Sequence, residues 1–257
     1  MTDADRPLTA LEDSHARLLD LVDRVGPEGV TTPSYCTEWS VADVLSHLGS
    51  GAEIGRLNLE AAIRGEEPPG REAMQPIWDR WNAKDPETKA ADAVVSDARM
   101  IETAADLDDT QKEAVRFHMG AMELDLGAYL SMRVSEHTLH SWDIAVVLDP
   151  DATLPSDDLD LVLPNVERII RFVGRPTEPY RTIAVHTTAP ESDLVLAIGE
   201  AGVTLTTGTP DVPADVSLSL PAEAFVRLAY GRLDPDHTPA GVDGEVLDQL
   251  RKVFPGV

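Results

Sequence analysis

The chain of 257 residues has a single cysteine, Cys36. That excludes an intramolecular disulfide and any cysteine-rich zinc or iron–sulfur cluster. Basic residues are also few: Lys and Arg number 21 against 46 Asp and Glu, for a formal charge of −25. Such a surface repels a phosphate backbone or an anionic membrane, so neither nucleic acid nor lipid is expected as a partner. The acidity is spread out, −16 over residues 1–150 and −9 over 151–257, which reads as a solubility feature. No uninterrupted apolar run approaches ~18 residues, the length of a membrane span. The opening MTDADRPLTALED lacks a basic region followed by an apolar one. A soluble, cytoplasmic protein is expected. No Walker A loop, no dinucleotide-binding glycine pattern after a strand and no G-x-S-x-G is present.

Hydrophobic residues make up 42% of the chain, enough for a sizeable core. Residues 1–150 read as helices. Segment 7–25 places Leu11, Leu18, Leu19, Val22 and Val25 at helical spacing, and Gly26-Pro27 ends it. Ser40, with Asp43 three residues on, opens a second helix running to about residue 64. Further helices are predicted over 72–83, 86–106 and 122–148, with 107–120 a partly helical connector. Four long helices joined by loops suggest a four-helix bundle. After residue 150 the texture changes. A helix at 157–173 precedes alternating, β-branched runs at 182–188, 193–198, 203–207 and 216–220, then helices at 221–230 and 243–253. The fold class is therefore α+β: a helical bundle over 1–150 and a smaller α+β domain over 151–257.

Chemistry concentrates in RVSEHTLHSWD, residues 133–143. On a helix, Arg133, Glu136, His140 and Asp143 fall within an arc of about 80°. Leu126 and Tyr129 extend this stripe on one side, Ile144 and Val147 on the other. The opposite face, Gly127, Ser131, Thr138, Ser141 and Ala145, is small, so the helix is expected to be buried. Four ionisable groups on a buried face are costly unless they pair or bind a metal. Glu136 and His140 lie one turn apart and can reach one ion, although an ordinary i,i+4 hydrogen bond satisfies the same spacing. His47 stands at the edge of the second helix's stripe of Val41, Val44, Leu45 and Leu48, near Gly51 and Gly55, whose small size would admit another backbone. Alone it reads equally as a satisfied core histidine. Together, His47, Glu136 and His140 make two imidazoles and a carboxylate with an open fourth position, the pattern of a catalytic zinc site. Cys36 reads as a loop thiol, Trp39 as a hydrophobic staple and Trp142 as packing. His118, His137, His186 and His237 lack partners at ligand spacing and read as surface or loop residues. Arg232, in AYGRLDPD, is either a cation capping a helix C-terminus or a contact for an anionic substrate.

The strings WSVADVLSHL (39–48), EHTLHSWD (136–143) and LPAEAFVRLAYGRLD (220–234) resemble the mycothiol-dependent maleylpyruvate isomerase family. That resemblance implies a DinB-like metal-binding four-helix bundle followed by a C-terminal α+β domain. It implies His47, Glu136 and His140 as ligands of zinc or another divalent transition metal, and Asp143 as the active-site aspartate. Arg232 matches the family's Gly-Arg arginine, and Arg133 falls where relatives carry a basic residue. The implied cosubstrate is mycothiol, whose thiolate adds to an electrophilic, anionic small molecule. Addition, bond rotation and elimination would make an isomerase; a retained thioether would make an S-transferase. Asp143 would orient His140 or handle a proton, and Arg133 or Arg232 would hold a carboxylate. A non-catalytic metal-binding or ligand-carrying module, or a metal-free bundle with a polar core, are the readings from other classes. A monomer or a homodimer is expected.

Overall fold

The computed structural model describes residues 2–119, 122–210, 213–242 and 244–256. It divides into two compact units, Met1–Ala152 and Thr153–Val257.

The first unit is built on four long helices: α1 (Asp5–Gly29), α2 (Val41–Ile63), α4 (Pro86–Ala105) and α6 (Leu126–Leu148). Their apolar stripes meet in one core, where Leu18, Leu45, Leu48, Trp81, Ala93 and Ile144 are buried. The local sequence sets the ends. In α1 the backbone leaves helical geometry at Gly26, whose φ of 64° suits glycine, and Pro27 opens one further turn. Ser40 and Asp43 form a reciprocal capping box at the start of α2, as the sequence suggests. Asp85 caps α4 through the Thr88 N–H, with Pro86 in the first turn. A shorter helix, α3 (Arg71–Asn82), seats Trp81 against α2. Gly49 makes this possible: a Cβ there would overlap the Trp81 ring and lie 2.8 Å from Ala93 Cα.

The connector differs from expectation. Residues 109–114 form a short helix, α5 (Asp109–Ala114), and then β1 (Arg116–Met119) pairs antiparallel with β2 (Met122–Asp125), Phe117 opposite Leu124. The helix predicted from residue 122 starts at Leu126, because the Asp125 side chain accepts from the Ala128 N–H and fixes the N-cap there. The hairpin is held by Phe117, buried and stacked on Tyr129 with centroids 3.8 Å apart. Val147, assigned to the inward stripe of α6, is exposed.

The second unit packs α7 (Leu159–Val173) and α8 (Ala222–Ala229) with a four-stranded sheet of order β5-β4-β3-β6. β3 (Arg181–Thr188) pairs antiparallel with β4 (Ser192–Gly199), Ile183 opposite Leu196, and β4 pairs antiparallel with β5 (Gly202–Thr207). β6 (Val216–Pro221) returns on the other side of β3, parallel to it. Alternation places Ile183, Val185, Leu194, Leu196, Leu218 and Leu220 in the core, together with Val162, Val166 and Ile170 of α7 and Phe225 of α8. The last helix, α9 (Glu245–Val253), buries Leu247, Leu250 and Val253. Residue 243, the predicted start of that helix, lies outside the described residues. Among the described residues, no helix is long and apolar enough to cross a membrane.

Candidate metal centre

α2 and α6 pack against each other and bring their polar positions together. His47 Nε2 lies 3.0 Å from Glu136 Oε2, and His140 Nε2 lies 3.7 Å from the same oxygen. The two imidazole centroids are 4.6 Å apart, at 62°. One ligand atom from each of the three residues lies within 4.8 Å of the other two. An ion with bonds of ~2.0–2.2 Å in tetrahedral geometry separates its ligand atoms by roughly 3.3–3.5 Å, a spacing that 3.0 and 3.7 Å bracket. Two neutral imidazoles and one carboxylate suit a divalent transition metal.

The geometry bears on two readings that the sequence leaves open. The 3.7 Å between His140 Nε2 and Glu136 Oε2 is longer than a hydrogen bond, so that contact is not the ordinary i,i+4 bond. His47 is no core histidine either, since 40% of its side chain is exposed, as is 43% of Glu136. Burial alone would raise the Glu136 pKa. The His47 hydrogen bond and the electrostatic influence of His140, His47 and Arg133 outweigh it and lower the pKa to about 2, so the carboxylate is ionised.

The ring orientation of His140 is fixed from behind. Its Nδ1 is 2.8 Å from Asp143 Oδ2, and the Asp143 side chain has no exposure at all. With Nδ1 carrying the proton, Nε2 is the free lone pair on the Glu136 side. Trp39 closes one flank; its ring lies 5.5 Å from that of His47 and 6.4 Å from that of His140. The approach of Trp39 to His140, on α6, is one that local sequence spacing does not reveal. Trp142 packs edge-on against Tyr35 and donates to the Ala152 carbonyl.

Arg133 lies deeper, with 10% of its side chain exposed. Its Nη2 stands 4.0 Å from Asp97 and 3.5 Å from the Leu48 carbonyl. Gly51 makes room for this guanidinium: a Cβ there would stand 2.9 Å from Nη1. At Gly55 the neighbour is the Tyr129 hydroxyl, so both glycines accommodate side chains and not the backbone that the sequence suggested. Arg232, in the second unit, is buried. It follows Gly231 (φ 71°) and donates from Nη1 to the Tyr230 carbonyl at the C-terminus of α8, 3.0 Å away.

One buried cluster escapes the sequence reading. Asp97 on α4 accepts from His137 Nε2 at 2.7 Å and pairs with His15 Nδ1 at 2.8 Å. His137 is fully buried, which corrects its assignment to surface or loop. The available signal was Asp97 itself, set in the stripe Ala90, Ala93, Met100, Ala104 of α4.

Residues 11–145 match the family model described as the mycothiol maleylpyruvate isomerase N-terminal domain. The chain belongs to that family. No curated protein matches. Among solved structures, the family's fold recurs in a crystal structure of the mycothiol-dependent maleylpyruvate isomerase. That likeness has a TM-score of 0.65, 17% identity and 90% coverage of each chain. A His-to-Ala mutant of that isomerase matches at a TM-score of 0.64, 16% identity and 90% coverage of each chain. At such identity the likeness concerns the fold: a family helical bundle followed by a sheet-containing unit.

Proposed function

We propose that the chain is a metal- and mycothiol-dependent enzyme that isomerises maleylpyruvate or a closely similar unsaturated keto acid. The observation that carries this reading is the convergence of His47, Glu136 and His140, with His140 turned by a buried Asp143, in a member of this family. A divalent transition ion, zinc by preference, would be held by those three residues and would lower the pKa of a thiol that takes its open position.

The chain's own residues divide the remaining work. Glu136, ionised, supplies the negative charge that selects a cation, and Arg133 behind it steadies that charge. Asp143 keeps the Nδ1 proton on His140 and so keeps Nε2 free to ligate. Because Asp143 is fully buried, it works through His140 and does not touch substrate. Trp39, 38% exposed beside both imidazoles, offers an apolar wall for the thiol or the substrate. In a protein of charge −25, an anionic substrate needs a local cation to hold its carboxylate.

The test is direct. Protein purified without chelator is analysed for metal, then incubated with mycothiol and maleylpyruvate. One equivalent of zinc or a similar ion and formation of fumarylpyruvate support the proposal. A stable thioether of another electrophile would indicate an S-transferase instead. Loss of both metal and turnover is expected in His47→Ala and in Glu136→Gln. Absence of stoichiometric metal in the parent protein refutes the reading.

A further inference from the structure

The loop between α1 and α2 is closed on itself. The Val41 N–H donates to the Thr32 carbonyl and the Ser34 N–H to the Trp39 carbonyl, and Pro33 and Ser40 form an antiparallel bridge. This clip is fastened twice to one residue of α6. The Tyr35 N–H donates to the Asp143 carbonyl at 3.0 Å, and the Cys36 thiol donates to Asp143 Oδ2 at 3.0 Å. The oxygen that takes the thiol is the one that takes His140 Nδ1 at 2.8 Å. Cys36, Asp143 and His140 thus form a chain of three side chains that ends at a candidate metal ligand.

We propose that Cys36 is a positioning residue for the metal centre: its thiol fixes the Asp143 carboxylate, and through it the orientation and tautomer of His140. The inference rests on the metal-centre reading above. A thiol is a weak donor, but here its acceptor is a carboxylate fully withdrawn from water, where a charge-assisted bond is strengthened. The backbone bond from Tyr35 locates the main chain of Asp143, and the thiol and the imidazole share its carboxylate Oδ2. Without the thiol, the carboxylate can turn about its terminal torsion and take the imidazole with it.

The experiment compares the full chain with Cys36→Ala and Cys36→Ser. Zinc affinity is measured by competition with a chromophoric chelator, and the His140 ring nitrogens are followed by NMR in the metal-free proteins. Outer partners of metal ligands typically contribute ~10–100-fold in affinity. Cys36 stands one bond further out, so Cys36→Ala is expected to weaken zinc binding by about tenfold and to broaden the Nδ1–H signal. Cys36→Ser, which keeps a donor, restores most of both. A merely space-filling role would leave the Nδ1–H signal unmoved. The inference is overturned if Cys36→Ala matches the parent in affinity and in that signal. It is overturned equally if the serine variant, folded by circular dichroism, fails as badly as alanine. Should the parent bind zinc and His47→Ala lose it while Cys36→Ala matches the parent in affinity and in the Nδ1–H signal, only this inference falls; should the parent bind none, the metal-centre reading falls and takes this one with it.

Discussion

Replacing Asp97 by asparagine removes the one negative charge at the centre of a buried cluster. The Asp97 side chain is 1% exposed, and His15, His137 and Arg133 face it from two other helices at 2.8, 2.7 and 4.0 Å. Breaking a buried pair by deleting one charge costs roughly 3–5 kcal/mol, since the partner is left uncompensated. Asparagine keeps the size and one acceptor, so the lower end applies: about 3 kcal/mol, or a fall in Tm of about 6–12 °C at ~2–4 °C per kcal/mol. Urea unfolding and calorimetry at pH 7 measure this directly. The pH dependence adds a second constraint. Burial raises the Asp97 pKa, but the charge and hydrogen bond of His137, the hydrogen bond of His15 and the charge of Arg133 reverse this and hold it well below the carboxylate range. A depressed folded pKa stabilises the native state above the unfolded value of ~3.9, and that stabilisation is lost as the pH falls toward the folded pKa. The gap between parent and variant should therefore narrow below about pH 4. A loss under about 1 kcal/mol at pH 7, or a gap that widens on acidification, refutes the argument.

Gly49→Ala places a methyl into Trp81 and 2.8 Å from the Ala93 backbone, and overpacking of this kind costs about 3 kcal/mol, read as a lower urea midpoint at unchanged slope. Ser40→Ala removes the acceptor for the Asp43 N–H at the start of α2; the expected loss is about 1 kcal/mol by thermal melting.

The long helices were legible because their apolar residues repeat on one face and their first turns carry recognisable caps, Ser40 with Asp43 above all. The three candidate ligands were legible because polar residues interrupt those faces. The hairpin of β1 and β2 was not, because four-residue strands are too short for alternation to register and the second was absorbed into the period of α6. The burial of His137 is not legible because α6 buries nearly its whole circumference, so spacing on one face does not distinguish inside from outside. Its partner Asp97, and the Cys36–Asp143 contact, span 40 and 107 residues, separations at which local pattern carries no information.

The parallel pairing of β3 with β6 has a kinetic consequence. β4 reaches β3 through a tight reversal, so that half of the sheet needs little chain closure. β6 finds its place beside Ile183 and Val185 only after β4, β5 and the segment behind them have been spanned. Contacts of such sequence separation form late, because the entropy of closing the intervening chain precedes any gain from the contact. A destabilising change in β6 should therefore mainly hasten unfolding, whereas one in the β3–β4 pair should slow refolding.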